Sequence, residues 1–278
     1  VKGEDFALVL DRGKGALSSL AYRGVEVLRT GPRLNFWRAQ TDNDIRRAPG
    51  PEWIAAGMDR LRERVEDVRH AAAKNGRNAR IEVRSSISPP GGKLRYDCGY
   101  RYDISADGDV LLKVSGVPRG AWPTLPRIGL QMTLPGRYDR VTWHGRGPGE
   151  CYNDSKQACP VGVYACSVDD LYVPYVFPQE NGNRTEVRWV SLASPGGTGL
   201  LATGEPLIDF SAHRFTTRDL EKARHTCDLA PRRFITLNLD HAHRGLGSAS
   251  CGPGPLPEYQ LPARRFRFAV RFSAASRK

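Results

Sequence analysis

Apolar and polar residues alternate in short runs along most of the chain. "FALVLD" sets Phe6, Leu8 and Leu10 on one side of an extended strand, "RGKG" supplies a turn, and "ALSSLAY" returns. "KLRYDCGYRYDIS" leads through "ADGD" into "VLLKVSGV", and the Asp-Gly pair is a hairpin signal because Gly accepts positive φ without steric cost. "RIEVRSSIS", "RIGLQMTL", "RVTWHG", "TEVRWVSL", "TGLLAT" and "RFITLNLD" read as further strands. In "RFRFAVRF", Phe266, Phe268, Val270 and Phe272 share one face and arginines take the other, the pattern of a half-buried sheet. Helical periodicity is confined to two places. "PEWIAAGMDRLRER" starts at Pro51 and puts Trp53, Ala56 and Arg60 on one face, and "TTRDLEKA" after Phe215 begins with a threonine cap. Many short strands and few helices predict an all-β chain of packed antiparallel sheets or a closed barrel. No repeat or low-complexity linker divides residues 1–278, so a single domain is expected.

Length and charge narrow this picture. The 278 residues suffice for a substantial core without covalent staples. No run is apolar enough to span a membrane, and the first residues carry no secretory signal. The chain does not start with Met, which suggests an excised or processed piece. The formal net charge of +12 raises nucleic acid as a partner. The basic residues are nevertheless scattered singly or in pairs such as Arg46-Arg47, Arg232-Arg233 and Arg264-Arg265, without the basic stripe such a partner needs. The six cysteines include no C-x-x-C spacing, which argues against a zinc ribbon and for reduced thiols in a cytoplasmic protein.

Four loop stretches hold the unusual chemistry: "GPRLNFWRAQTDND" (31–44), "WHGRGPGECYND" (143–154), "YVFPQENGNRTEVRW" (175–189) and "DHAHRGLGSASCGPGPLPEY" (240–259). Each combines aromatic rings, amides, carboxylates and glycine. Sugar sites use such groups, with rings against the pyranose face and polar groups on its hydroxyls. Structural turns use them too, because Asn and Asp bond their own backbone.

These stretches, in this order, resemble the C-terminal domain of the large β-galactosidases of glycoside hydrolase family 2. The resemblance runs from about Phe6 to Phe272. It implies an antiparallel β-supersandwich, similar to galactose mutarotases, that follows a catalytic barrel in the whole enzyme. It implies a domain without catalytic residues or cofactor of its own, since the retaining pair of glutamates lies on the barrel and metal ions would bind elsewhere. The implied partners are that barrel, or a large subunit, and a β-galactoside. The family's C-terminal loop that reaches toward the sugar corresponds to Ser250, Cys251 and Gly252, where the stacking tryptophan of a well-known bacterial member is missing. A free-standing aldose 1-epimerase and a carbohydrate-binding module are the alternatives on this fold.

Other candidates each carry two readings. Glu180 could be a general base against a sugar ring. Otherwise Glu180, Asn181 and Arg184 form a buried polar network bracing loops. His144 could hold its loop or touch a ligand. His243 could approach the sugar, and His241 and His243, two apart on a strand, could point the same way. No third ligand completes a metal site with them. Trp37, Trp143 and Trp189 are either sugar platforms or core.

Overall fold

The computed structural model describes residues 1–46, 49–72 and 78–275. Arg47 of the Arg46-Arg47 pair lies outside them. The strands are β1 (Phe6–Asp11), β2 (Ala16–Tyr22), β3 (Val25–Glu26), β4 (Thr30–Asn35), β5 (Arg62–Ala72), β6 (Ala79–Ser88), β7 (Arg95–Ile104) and β8 (Val110–Arg119). They continue with β9 (Arg127–Pro135), β10 (Arg140–Arg146), β11 (Val161–Ser167), β12 (Arg184–Ala193), β13 (Gly199–His213), β14 (Phe234–His243) and β15 (Phe266–Ala275). The short helices are α1 (Asp42–Ile45), α2 (Gly50–Ala55) and α3 (Thr217–Lys222).

Strands β1 to β3 form a small sheet, and the other twelve form one large sheet. Every strand pairing among the described residues is antiparallel. The large sheet divides at β13. Its first half, Gly199–Glu205, pairs with β15, and its second half, Asp209–His213, pairs with β14. Pro206, which has no N–H to donate, sits where the strand changes partner. From this division one arm runs β15-β8-β7-β6-β5 and the other β14-β9-β4. The arms fold onto each other: the Leu34 N–H of β4 donates to the Tyr100 hydroxyl of β7 at 3.1 Å. The result is the antiparallel sandwich expected from the strand pattern, with one core between the layers.

The final strand follows its sequence pattern closely. Phe266, Phe268, Val270 and Phe272 are buried while Arg267 is exposed. Each such side chain contributes about 1.5–3 kcal/mol on leaving water.

The helix expected from Pro51 is shorter than its periodicity implies. Gly57, at φ +71, takes up a left-handed conformation directly after α2 and ends it. A 3₁₀ turn at Met58–Arg60 follows, and by Arg62 the chain is strand β5. The second expected helix is present as α3, capped by Thr216, whose Oγ1 accepts from the Asp219 N–H at 3.1 Å.

Candidate functional site

The four loop stretches meet at one end of the sandwich. Asn43 of α1 clamps the fourth stretch: its Nδ2 donates to Gly247 O at 2.7 Å and its Oδ1 accepts from the Ser250 N–H at 2.9 Å. Asp154 of the second stretch accepts from the Gly247 N–H at 2.7 Å. Gln179 of the third stretch accepts from the Asp42 N–H at 3.0 Å. Helix α1 thus sits between the third and fourth stretches. It is held locally by Thr41, which forms a reciprocal capping box with Asp44.

The corner at 179–185 is buried throughout. Arg184 spreads its guanidinium over three loop carbonyls, those of Gly182 at 2.7 Å, Pro148 at 2.8 Å and Leu171 at 3.3 Å. Asn181 accepts from the Val173 N–H at 3.0 Å, and its own carbonyl meets His213 Nε2 at 2.9 Å. Glu150 accepts from the Gly182 N–H at 2.8 Å. Gly182 has φ +74, and a Cβ there would come within 2.6 Å of Leu171 O, so only glycine fits this crossing. Asn183 is fully buried and bonds both ways to the Cys151 backbone.

Glu180 belongs to a second, charged cluster. Arg127 donates to Glu180 Oε1 at 3.0 Å and lies 3.2 Å from Asp240 Oδ2. Burial would raise the Glu180 carboxyl, but Arg127, with His243 and Arg38, outweighs it and holds Glu180 down to about 2. Burial pushes Asp240 up to about 8, against Arg127 and with the charges of Glu180 and Asp209 adding to the rise. One guanidinium therefore faces two carboxyls, with Glu180 held toward its charged form and Asp240 toward its neutral one. His243 Nε2 is 3.6 Å from Glu180 Oε1, too far for a hydrogen bond. Burial and the nearby Arg127 lower His243 to about 4, so it is neutral. His243 Nδ1 meets Arg38 Nη1 at 3.1 Å, and Arg38 in turn forks onto Asp44.

Glu180 and His243 are 6% and 3% exposed, so a sugar has no open route to this pair. His241 does not share its direction. A bulge between Asp240 and Ala242 turns the strand, and His241 is exposed and stacked on Phe268 at 5.2 Å. His144 stands apart, half-buried on β10 with its ring edge toward Trp189 at 6.4 Å. Of the loop candidates, Ser250 and Cys251 are exposed and Gly252 is half-buried. The loop is less free than its small residues suggest. Ala249 is buried, and Ser248 bonds to Pro253 O through both its N–H at 3.0 Å and its hydroxyl at 3.1 Å. All six cysteines are free thiols, and among the described residues no group of His, Cys, Asp or Glu is placed to hold a metal. No helix among them is long and apolar enough to cross a membrane.

Arg38, Arg127, Asp240, Asn43 and Asp154 were not singled out by sequence. Asp240 had a signal, since it ends the polar row Thr236, Asn238, Asp240 of β14. That row reads as a solvent face, yet all three are buried.

A family profile described as beta galactosidase small chain matches residues 2–272. The chain belongs to that family. A β-galactosidase of Arthrobacter sp. (strain B7) is 35% identical over 94% of this chain and 27% of its own length. The β-galactosidase of Vibrio cholerae is 33% identical over 96% and 26%, and that of Kluyveromyces lactis 31% over 96% and 26%. The chain thus spans about a quarter of the length of the curated relatives it matches. In fold it is similar to a GalM/aldose epimerase homologue of C. elegans, with TM-score 0.54, 11% identity and coverage of 99% and 97%. A putative aldose 1-epimerase of Escherichia coli K12 aligns with TM-score 0.51 and 12% identity over 99% and 97%. The fold is that of the galactose mutarotases.

Proposed function

We propose that this chain is a non-catalytic part of a β-galactosidase that hydrolyses terminal β-D-galactosides, where it completes the sugar site and braces the catalytic barrel. The observation that carries this reading is the convergence of the four stretches on the loop 248–254. Asn43 and Asp154 hold the base of that loop, and its Ser250 and Cys251 face solvent. A rigid base under an exposed tip suits a loop that a neighbouring domain receives. The same end exposes an apolar side chain, Val176, which is 82% exposed. Hydrolysis with retention needs two carboxyls astride the glycosidic bond. Glu180 is neither paired with a second open carboxylate nor reachable, so the reacting groups belong to the barrel. Ser250, Cys251 and Gly252 then border the bound sugar without reacting with it. Free thiols and the bacterial and yeast relatives support a cytoplasmic setting.

The test is complementation. The chain alone should give no turnover of a chromogenic β-galactoside above buffer. Added to a relative's β-galactosidase from which the matching quarter is deleted, it should restore hydrolysis. Turnover by the repurified chain alone, or no rescue by a chain that binds the truncated enzyme, would overturn the reading.

A further inference from the structure

Trp37 belongs to the first stretch, yet its ring stands away from the loop 248–254. It is half-buried on a ridge between two grooves of about 530 and 640 Å³. Two contacts fix its orientation. Nε1–H donates to Glu221 Oε1 of α3 at 2.5 Å, and its edge meets Trp53 at a ring separation of 6.1 Å. The larger groove runs between α2, α3 and the Phe177-Pro178 corner. Phe177 adds a second ring to its lining, and Gln40, Asp59 and Arg218 add polar groups. Gln40 Nε2 is out of water and lacks a hydrogen-bond acceptor among the described residues. Charge is balanced, with Asp59 and Glu221 against Arg60 and Arg218, and Arg60 is paired to Asp59 at 3.3 Å. A fixed, part-exposed indole with amide, carboxylate and guanidinium groups of no net sign fits a neutral, hydroxyl-rich ring better than an anion. The volume suits a mono- or disaccharide.

We propose that this groove is a carbohydrate subsite separate from the loop 248–254. The apolar face of a pyranose lies on Trp37, and its hydroxyls reach Asp59 and Arg218. A disaccharide such as lactose is the class of ligand. Neither Val176 nor any residue of 248–254 lines the groove.

The experiment is saturation-transfer NMR and calorimetry of the 278-residue chain with lactose. Saturable, weak binding is expected, with transfer strongest to ring protons on one face. Trp37→Leu should weaken it about tenfold, since a stacked ring gives about that discrimination. Trp37 also packs internally, so Asp59→Asn and Arg218→Ala, on the groove's polar side, serve as second variants expected to weaken binding severalfold with unchanged circular dichroism. Val163→Ser, at a 63% exposed position on β11 outside the groove, should leave binding intact. Absence of binding in the parent chain would overturn the inference and leave the groove, with its exposed Ile45 and Ile54, as a seat for protein. Binding that survives all three groove variants, or that is lost with Val163→Ser, would also overturn it.

Discussion

Arg127 is the residue on which the buried cluster turns. It is 1% exposed and carries a charge that one neighbour must balance. Glu180 does so, and burial, with the charges of Glu180 and Asp209, holds the Asp240 carboxyl up against the same Arg127. Removing Glu180's charge takes away the carboxylate that accepts Arg127's hydrogen bond and leaves Asp240, 3.2 Å away, to give up its proton in its place. Glu180→Gln should therefore cost about 1.5–3 kcal/mol at neutral pH, the usual worth of a hydrogen bond to a charged group. The measurement is urea unfolding, and the cost should shrink as pH falls from 4.5 toward 2, where Glu180 takes up a proton. Asp240 works with the opposite sign. Its carboxyl titrates near 8 when folded and near 3.8 when unfolded. Between those values the folded chain holds the extra proton, so stability falls as pH rises through the window and the loss is complete above 8. Asp240→Asn keeps the shape and removes the titration. Its melting temperature relative to the parent should climb steadily from pH 4 to pH 8 and then level off. A difference that stays flat across this range would mean that Asp240 is ionised throughout.

At the scale of single elements, strands were legible wherever one face is apolar and the other charged, as in β15. Strand β5 was not. Its valines, Val65 and Val68, are three apart, which reads as a helical face. A bulge between Val65 and Asp67 adds one residue to the strand, so both valines pack on the core from an extended chain. Local periodicity cannot reveal a bulge, because the partner strand defines it. The polar row of β14 hides for a related reason: its partners come from other strands, with Asn238 bonded to Gln131 of β9 and Ser211 of β13 and Asp240 beside Arg127 of β9. The loop 248–254 was legible as an exposed turn, but its internal bonds were not. They alter what a substitution there should do. A Cβ on Gly252 would sit 2.7 Å from Ser248 Oγ, the hydroxyl that donates to Pro253. Gly252→Trp should therefore lose that hydrogen bond and about 0.5–1.5 kcal/mol. Cys251 is exposed, and Cys251→Trp should stay within about 0.5 kcal/mol of the parent. Thermal melts of the two variants decide the point. Equal losses would show that the turn tolerates neither ring, and the tip would then be a structural clamp.

For the whole molecule, the division of the sheet at β13 gives a sandwich with its own core, while the conspicuous loops gather at one end. A body of this kind can fold alone and still expose a surface built for a partner. The exposed Val176 lies three residues before Gln179, which accepts from the Asp42 N–H of α1, and the loop 248–254 is fastened to the same helix through Asn43. If this end receives the catalytic barrel, binding must stabilise the chain by mass action. At a free partner concentration of one hundred times Kd the gain is about 2.7 kcal/mol. For a domain of this size that corresponds to a rise in melting temperature of about 5–10 °C. Val176→Asp should remove most of that rise, because it places a charge on a surface that must leave water on docking. The same change should leave the isolated chain's own melting temperature nearly unaltered, since Val176 is already 82% exposed. The measurement is a melt of the chain with and without truncated β-galactosidase, for the parent and for Val176→Asp. A partner-induced rise that survives Val176→Asp undiminished would place the docking surface elsewhere on the sandwich, and the convergence of the four stretches would then serve only the fold.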